Sequence, residues 1–244
     1  MQKSLHIDPG KCTGCLQCEM ACSYEHTGTF NPSKSRIKVF DFEHEGRKVP
    51  YTCTQCSDAW CMQSCPVDAI VLDAATGAKV VLEATCVGCK VCTISCPFGT
   101  VNYMADVGKV QKCDLCGGDP ECAKACPTGA IQFGSKEQMT DYAAKRIGDL
   151  KSRGYDKAGL YDPQGVGGTH VMYVLHHADR PELYKGLPND PAISPLVSLW
   201  KGFAKPLATV AMAAVALGSL FHYITKGPNE VSKELEDELE KEDS

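Results

Sequence analysis

Cys86-Val-Gly-Cys89-Lys-Val-Cys92-Thr-Ile-Ser-Cys96-Pro97 sets the reading of the whole chain. Its spacing is C-x2-C-x2-C-x3-C-P. Two-residue spacers keep the backbone in a tight loop, so three sulfurs can converge on one face of a small inorganic core. The three-residue step climbs onto a short helix and aims the fourth sulfur away, and the proline ends that helix. Such loops hold a [4Fe–4S] cluster with three thiolates while the fourth serves a neighbouring cluster. A lone CxxC carries little information; four cysteines at these distances, closed by proline, point to one chemistry.

The pattern recurs, and the recurrence organises the chain. Group one is Cys12, Cys15, Cys18 and Cys22, spaced x2-x2-x3. Group two is Cys53, Cys56, Cys61 and Cys65, spaced x2-x4-x3 and followed by Pro66. Group three is Cys86, Cys89, Cys92 and Cys96, and group four is Cys113, Cys116, Cys122 and Cys126, spaced x2-x5-x3 and followed by Pro127. Flanks repeat too, Pro66-Val-Asp-Ala-Ile70 against Pro127-Thr-Gly-Ala-Ile131. The sequence of 244 residues contains 16 cysteines and these groups use them all, so the count predicts four [4Fe–4S] clusters with no thiol left for a nucleophile or a disulfide. Disulfides suit short secreted chains, and the Met1–Asp8 start has no apolar signal segment. Zinc also takes thiolates, but from two separated CxxC knuckles, commonly with histidine. The internal x3 cysteine of every group favours iron–sulfur, with a zinc-stabilised scaffold as the remote alternative. A net charge of −5 and the lack of a basic stripe argue against nucleic acid.

Leu5–Ile7 and Val80–Leu82 read as short strands entering cysteine loops. Each unit is then strand, cluster loop, short helix, strand, and two units make one bacterial-ferredoxin-like module in an α+β architecture. Ser57–Trp60 and Gly117–Glu121 are loop insertions with turn formers at Asp58 and Asp119-Pro120. Arg36–Phe42 alternates apolar and polar residues like a hairpin arm. Ser135–Gly154 reads as a helix with Ser135 and Gln138 as a capping box, and Met139, Tyr142, Ala143, Ile147 and Leu150 at helical spacing. Gly154–Gly168 reads as a loop, with Gly165–Gly168 a turn rather than a phosphate loop. Thr169–His176 reads as a strand, and Pro181–Pro195 as a proline-rich connection.

Pro206–Ile224 is 19 residues without a formal charge. A helix of that length reaches about 28 Å, close to the thickness of a bilayer core. Trp200 and Tyr223 bracket it as interfacial aromatics do. The other reading, a buried helix of a large soluble domain, lacks a groove to receive it. Ala211, Ala214 and Gly218 suit close packing against another membrane helix. Lys201 and Lys205 on one side, against Lys226, Lys233 and Lys241 on the other, slightly favour a cytoplasmic tail and an external cluster domain. The tail itself, Glu230–Ser244, is acidic.

The chain offers no catalytic constellation. His6, His26, His44, His170, His176, His177 and His222 are scattered, and none is paired with a carboxylate at catalytic spacing. The His176-His177 pair reads as a surface or interface pair rather than a cofactor contact, and His222 as an interfacial hydrogen-bonding residue rather than a haem ligand. Trp60, between Cys56 and Cys61, reads as shielding for a cluster.

The order and spacing of the four motifs resemble the iron–sulfur subunits of molybdopterin oxidoreductases. The second half narrows this: Arg153–Asp179, Tyr184-Lys-Gly-Leu-Pro188, Leu199-Trp-Lys-Gly202 and Phe221-His-Tyr223 are similar to the beta subunit of membrane-bound respiratory formate dehydrogenases. The resemblance covers nearly the whole chain. It implies a non-catalytic electron-transfer subunit between a molybdenum- or tungsten-pterin catalytic (alpha) subunit and a membrane cytochrome b (gamma) subunit, passing electrons from formate toward quinone. It also implies crossed ligation: Cys12, Cys15 and Cys18 with Cys126; Cys113, Cys116 and Cys122 with Cys22; Cys53, Cys56 and Cys61 with Cys96; and Cys86, Cys89 and Cys92 with Cys65. Groups one and four then form an outer module, 1–50 plus 105–134, and groups two and three an inner one, 51–104. A partner-binding extension at 135–196, a transmembrane helix at 197–226 and a tail at 227–244 follow. The family's cluster domains lie on the periplasmic side and are exported folded with a signal-bearing partner, which would explain a chain without its own signal peptide. The short Cys22–Cys53 stretch and the compact Gly117–Glu121 loop resemble soluble formate dehydrogenase and hydrogenase-linked subunits, and bear on the contact with the catalytic subunit. The alternative function is the same electron path in a hydrogenase or another molybdopterin oxidoreductase.

Overall fold

The first strand, β1 (Lys3–Ile7), is covered on both faces: Leu5 and Ile7 alternate with Ser4 and His6, and all four are buried. It lies inside a four-stranded sheet of order β8-β1-β10-β9, where β8 is Ile131–Ser135, β9 Gly159–Tyr161 and β10 Val171–Leu175. β1 runs parallel to β10, with Leu5 opposite Val171, and antiparallel to β8, with Lys3 opposite Ser135. The computed structural model describes residues 2–42, 46–192 and 199–227. The expected acidic tail, His44, the end of the Pro181–Pro195 connection and the Trp200 side chain lie outside the described residues. The chain forms two compact units, Met1–Ser194 and Pro195–Ser244.

In the first unit the repeat is visible in the backbone. Group one is entered from β1 and leads into α1 (Gln17–Thr27). A hairpin of β2 (Ile37–Phe42) and β3 (Arg47–Thr52) follows, with Ile37 opposite Thr52, and β3 enters group two. The next cycles run through α2 (Trp60–Gln63) to β4 (Ile70–Leu72), then β5 (Lys79–Val81) through α3 (Val91–Ser95) to β6 (Asn102–Met104). The last runs from β7 (Lys109–Gln111) through α4 (Glu121–Lys124) to β8. β4 pairs with β5 and β6 with β7, both antiparallel. The Val80–Leu82 strand is thus real but shifted one residue towards the N-terminus, where its register with β4 fixes it.

One apolar core gathers Leu5, Ile7, Ile37, Val49, Leu115 and Ile131 around Cys18, Cys22 and Cys122. A second holds Ile70, Val101 and Val110 around Cys61, Cys65, Cys86 and Cys92. The remaining face of the sheet is covered by α5 (Lys136–Ser152), which packs on β1 and β8. Its capping box is complete: the Gln138 amide N–H donates to Ser135 Oγ at 3.2 Å, and the Ser135 amide N–H donates to Gln138 Oε1 at 3.1 Å. Asp8, fully buried, pairs with Arg146 of α5 at 2.6 Å and accepts the Gly10 amide at 2.9 Å. The Gly154–Gly168 segment is not simply a loop. Gly159–Tyr161 pairs with β10, Tyr161 opposite Tyr173, because the fully buried β10 offers it a free edge.

The second unit contains a π-helical turn, Trp200–Ala204, and α6 (Lys205–Lys226). The span from Gly202 to Lys226 runs for 25 residues, its most apolar 18-residue stretch has a mean hydropathy of 1.8, and its side chains are exposed. Leu207, Val210, Met212, Leu217, Phe221 and Ile224 are all more than half exposed, so the helix is apolar around its circumference, as a segment dissolved in lipid must be. His222 is among its exposed side chains.

Candidate metal centres

Each of the four loops reverses direction at the same place. The residue before the second cysteine is left-handed in all of them: Gly14 (φ 73°), Gln55 (φ 51°), Gly88 (φ 68°) and Leu115 (φ 59°). In the two x2-x2-x3 loops the residue after that cysteine is left-handed as well, Leu16 at φ 61° and Lys90 at φ 63°. Such reversals turn successive amide N–H groups to the inside of the loop, the nest that binds anionic clusters. Glycine takes this conformation freely; Gln55 and Leu115 bear the strain because each is fixed by burial. Gln55 is 1 % exposed, and its amide spans two segments: its Nε2 donates to the Cys113 carbonyl at 2.5 Å and its Oε1 accepts the Lys79 amide at 2.8 Å.

The loops bring together cysteines from different groups. Cys65 shares one cavity with Cys86, Cys89 and Cys92, walled by Val67, Ile70 and Val110. Cys96 shares a second with Cys53, Cys56 and Cys61, walled by Trp60, Phe98 and Val101. Trp60, expected as shielding, is part of that wall. In the outer groups Cys126 lies close enough to act on the protonation of Cys12 and Cys18, and Cys22 on that of Cys116 and Cys122.

Burial dominates the thiols. It pushes Cys18, Cys56, Cys61 and Cys113 up to about 12, and Cys92 and Cys116 up to about 11. Held as thiols at neutral pH, they release protons on binding metal, so ligation and deprotonation are one event. Two fourth cysteines go the other way. Burial raises Cys22 too, but the His26 side chain and the Arg36 amide, whose N–H donates to its sulfur at 3.3 Å, outweigh it and lower it overall. Cys126 is lowered similarly by the amides of Ile131, Thr128 and Ala130 against the cost of burial. Cys65 accepts the Ala69 amide at 3.2 Å, and Cys96 lies 3.6 Å from the Thr100 hydroxyl. Four soft thiolates per site, apolar walls and amide donors on sulfur fit an iron–sulfur cluster.

No histidine is paired with a carboxylate at catalytic spacing along the sequence, but folding brings one to His26. Across 88 residues of sequence its Nε2 lies 3.2 Å from Asp114 Oδ1, while its Nδ1 donates to the Cys22 carbonyl at 2.8 Å. Arg36 donates to the other Asp114 oxygen at 2.5 Å. Burial opposes charge on His26, but Asp114 and Cys22 prevail and raise it to about 10. His26, Asp114 and Cys116 bring ligand atoms within 4.8 Å of one another. Arg36 and His26 already satisfy the carboxylate, so the arrangement is an ion-pair network against the cysteines of group four. The His176-His177 pair is tied inward: both amides donate to Tyr184 Oη, at 3.1 and 3.2 Å, and the His176 ring packs 4.3 Å from that of Tyr155.

Sequence reading also missed Lys112. It is 2 % exposed, and its ammonium donates to the carbonyls of Lys79 and, at 3.2 Å, Cys113. Both Lys112 and Lys79 line the cavity of Cys53, Cys56, Cys61 and Cys96. A lysine between a β-strand and a cysteine gives no local sign that it points inward.

Comparison with known proteins bears on this arrangement. The family model described as "4Fe-4S dicluster domain" matches residues 45–136, "4Fe-4S binding domain" matches 5–25, and "Formate dehydrogenase N, transmembrane" matches 193–236. The "Formate dehydrogenase iron-sulfur subunit" of Haemophilus influenzae is 42% identical over 95% of this chain and 82% of its own length. Two proteins of Escherichia coli are similar at nearly the same level. The "Formate dehydrogenase-O iron-sulfur subunit" is 41% identical over 93% of this chain and 85% of its own length. The "Formate dehydrogenase, nitrate-inducible, iron-sulfur subunit" is 40% identical, over 96% and 87%.

Proposed function

The chain belongs to the iron–sulfur subunits of formate dehydrogenases, and from that membership we propose that it is a four-centre electron path between a pterin-bearing catalytic subunit and a membrane cytochrome b. As a member it transfers electrons rather than oxidising formate itself, carries [4Fe–4S] clusters and is anchored by one membrane-spanning helix. The ligand sets in this reading are crossed: Cys12, Cys15, Cys18 and Cys126; Cys22, Cys113, Cys116 and Cys122; Cys53, Cys56, Cys61 and Cys96; Cys65, Cys86, Cys89 and Cys92. The observation that carries it is the company each fourth cysteine keeps, Cys65 sharing a cavity with group three and Cys96 with group two. Outer and inner modules, 1–50 plus 105–134 and 51–104, follow from those sets.

Bound clusters supply one-electron carriers. The protein's own contribution is to hold thiolates at fixed spacing, to keep water out with Val67, Ile70, Phe98, Trp60 and Val110, and to offer amide and hydroxyl donors to the fourth sulfurs. A rigid, dry shell changes little on electron arrival, which keeps transfer fast. The lysines around the span support a cluster domain on the periplasmic side with the tail in the cytoplasm.

The test is the complex drawn from native membranes in mild detergent with this chain as handle, assayed for formate-dependent dye reduction, iron, sulfide, molybdenum, tungsten and haem. Formate activity with a pterin metal, haem b and four cubanes per chain is expected. Activity without haem would remove the cytochrome partner, nickel with a different substrate would move the path to a hydrogenase, and far fewer cubanes would overturn the ligand sets. Protease cleavage of the tail in right-side-out spheroplasts would reverse the orientation.

A further inference from the structure

Lys112 is an ammonium buried beyond the reach of solvent, at the place where β7 hands the chain to Cys113. A buried ammonium persists only if it is paired and hydrogen-bonded. Its hydrogen-bond partners here are the Lys79 and Cys113 carbonyls, and it lines the cavity of Cys53, Cys56, Cys61 and Cys96. Cys53 and Cys61 line the cavity that also holds Cys96, whereas Cys113 stands in the set with Cys22, Cys116 and Cys122. The charge therefore lies between two sets of cysteines. Lys79, the second lysine on that wall, has its ammonium depressed by burial and further by the charge of Lys112.

Reducing a cluster adds one electron to a group that is already anionic. A fixed positive charge beside its sulfurs favours the reduced form. We propose that the Lys112 ammonium is a potential-setting charge, which raises the midpoint potential of the centre held by Cys53, Cys56, Cys61 and Cys96 and makes it the step on which an electron rests between the outer and inner cysteine sets. One electron enters and one leaves; no proton moves and no bond breaks. The inference rests on the ligand sets proposed above. Lys112 acts through those sulfurs, so it is a positioning residue for the electron rather than a ligand.

Redox titration of the intact complex, followed by electron paramagnetic resonance, reads this directly. Wild type must first show [4Fe–4S] signals, and their absence would fail the ligand reading rather than the inference. Lys112→Met and Lys112→Gln remove the charge with different shapes, and Lys112→Arg retains it. At full iron content, both neutral variants are expected to shift one midpoint downward by at least tenfold in the oxidised-to-reduced ratio, 59 mV for a one-electron couple. Lys112→Arg is expected to return most of that shift. Unchanged potentials in both neutral variants, or an arginine variant displaced as far as the methionine one, would overturn the charge role. Should both neutral variants lose iron, Lys112→Arg decides: retention with a near-native potential supports the inference, and loss of iron there makes Lys112 a packing element and overturns it.

Discussion

Gly14 and Gly88 occupy the same position of two loops with the same spacing, and share the left-handed backbone, φ 73° and 68°. Alanine at either costs about 1–2 kcal/mol for a Cβ in that conformation, and this cost cancels between them. What the new methyl meets differs. At Gly14 it lands 3.2 Å from Lys48 Cδ, the middle of a flexible side chain that can swing aside. At Gly88 it lands 2.2 Å from the carbonyl oxygen of Gly108 and 3.4 Å from Tyr103 Cε2. Gly108 is pinned in the β6–β7 turn, where its amide donates to the Met104 carbonyl at 2.9 Å, so loop and hairpin must separate by about an ångström. Overpacking of that kind costs about 1–3 kcal/mol. For a chain of this size the difference corresponds to a melting temperature about 2–12 °C lower for Gly88→Ala than for Gly14→Ala. The assay is thermal unfolding of the two variant complexes under one protocol, with iron and sulfide determined on each. Gly88→Ala should lose iron from the centre of Cys65, Cys86, Cys89 and Cys92. Equal melting temperatures with full iron in both would show that the hairpin is not pressed against the loop, and would refute the reasoning.

Three further outcomes are expected. Cys96→Ser should remove or alter the spectroscopic signal of the centre of Cys53, Cys56 and Cys61 and spare the one held by its sequence neighbours; the reverse result contradicts crossing. Arg146→Met leaves the fully buried Asp8 without its cation and should cost about 3–5 kcal/mol, most of it recovered by adding Asp8→Asn; a melting curve unchanged by Arg146→Met would deny the pair any role. Burial lowers His6 from the ordinary 6.5 to about 4, so the unfolded chain takes up the proton first. Its contribution to stability is then complete above pH 6.5 and lost as pH falls toward 4, and a His6→Phe variant should lose stability less steeply over that window than wild type, with parallel curves counting against it.

The cysteine loops, the capping box at Ser135 and Gln138, the β2 arm and the apolar span were legible because each rests on spacing within a few residues. What escaped depends on partners far along the chain. Gly159–Tyr161 has only three residues and a glycine, too weak a local signal, and becomes a strand because β10 presents an edge. His26 reads as one histidine among several until folding brings Asp114 beside it. Lys112 follows an alternating strand, whose pattern says nothing about an ammonium turned inward. Gln55 and Leu115 take a conformation their side chains disfavour, and only the recurrence of the loop position in Gly14 and Gly88 hints at it.

The parallel pairing of β1 with β10 sets an order in time. β1 cannot be fully enclosed until residues near 171–175 have been made, because one of its edges waits for β8 and the other for β10. The hairpins of β4 with β5 and β6 with β7 need only neighbours already synthesised, so the cavities around Cys53–Cys96 can close, and be loaded, while the ends are still apart. In the proposed ligand sets Cys12, Cys15, Cys18 and Cys22 have no complete partner group until Cys126 has been made, so the middle of the chain can close before its outer cysteines do.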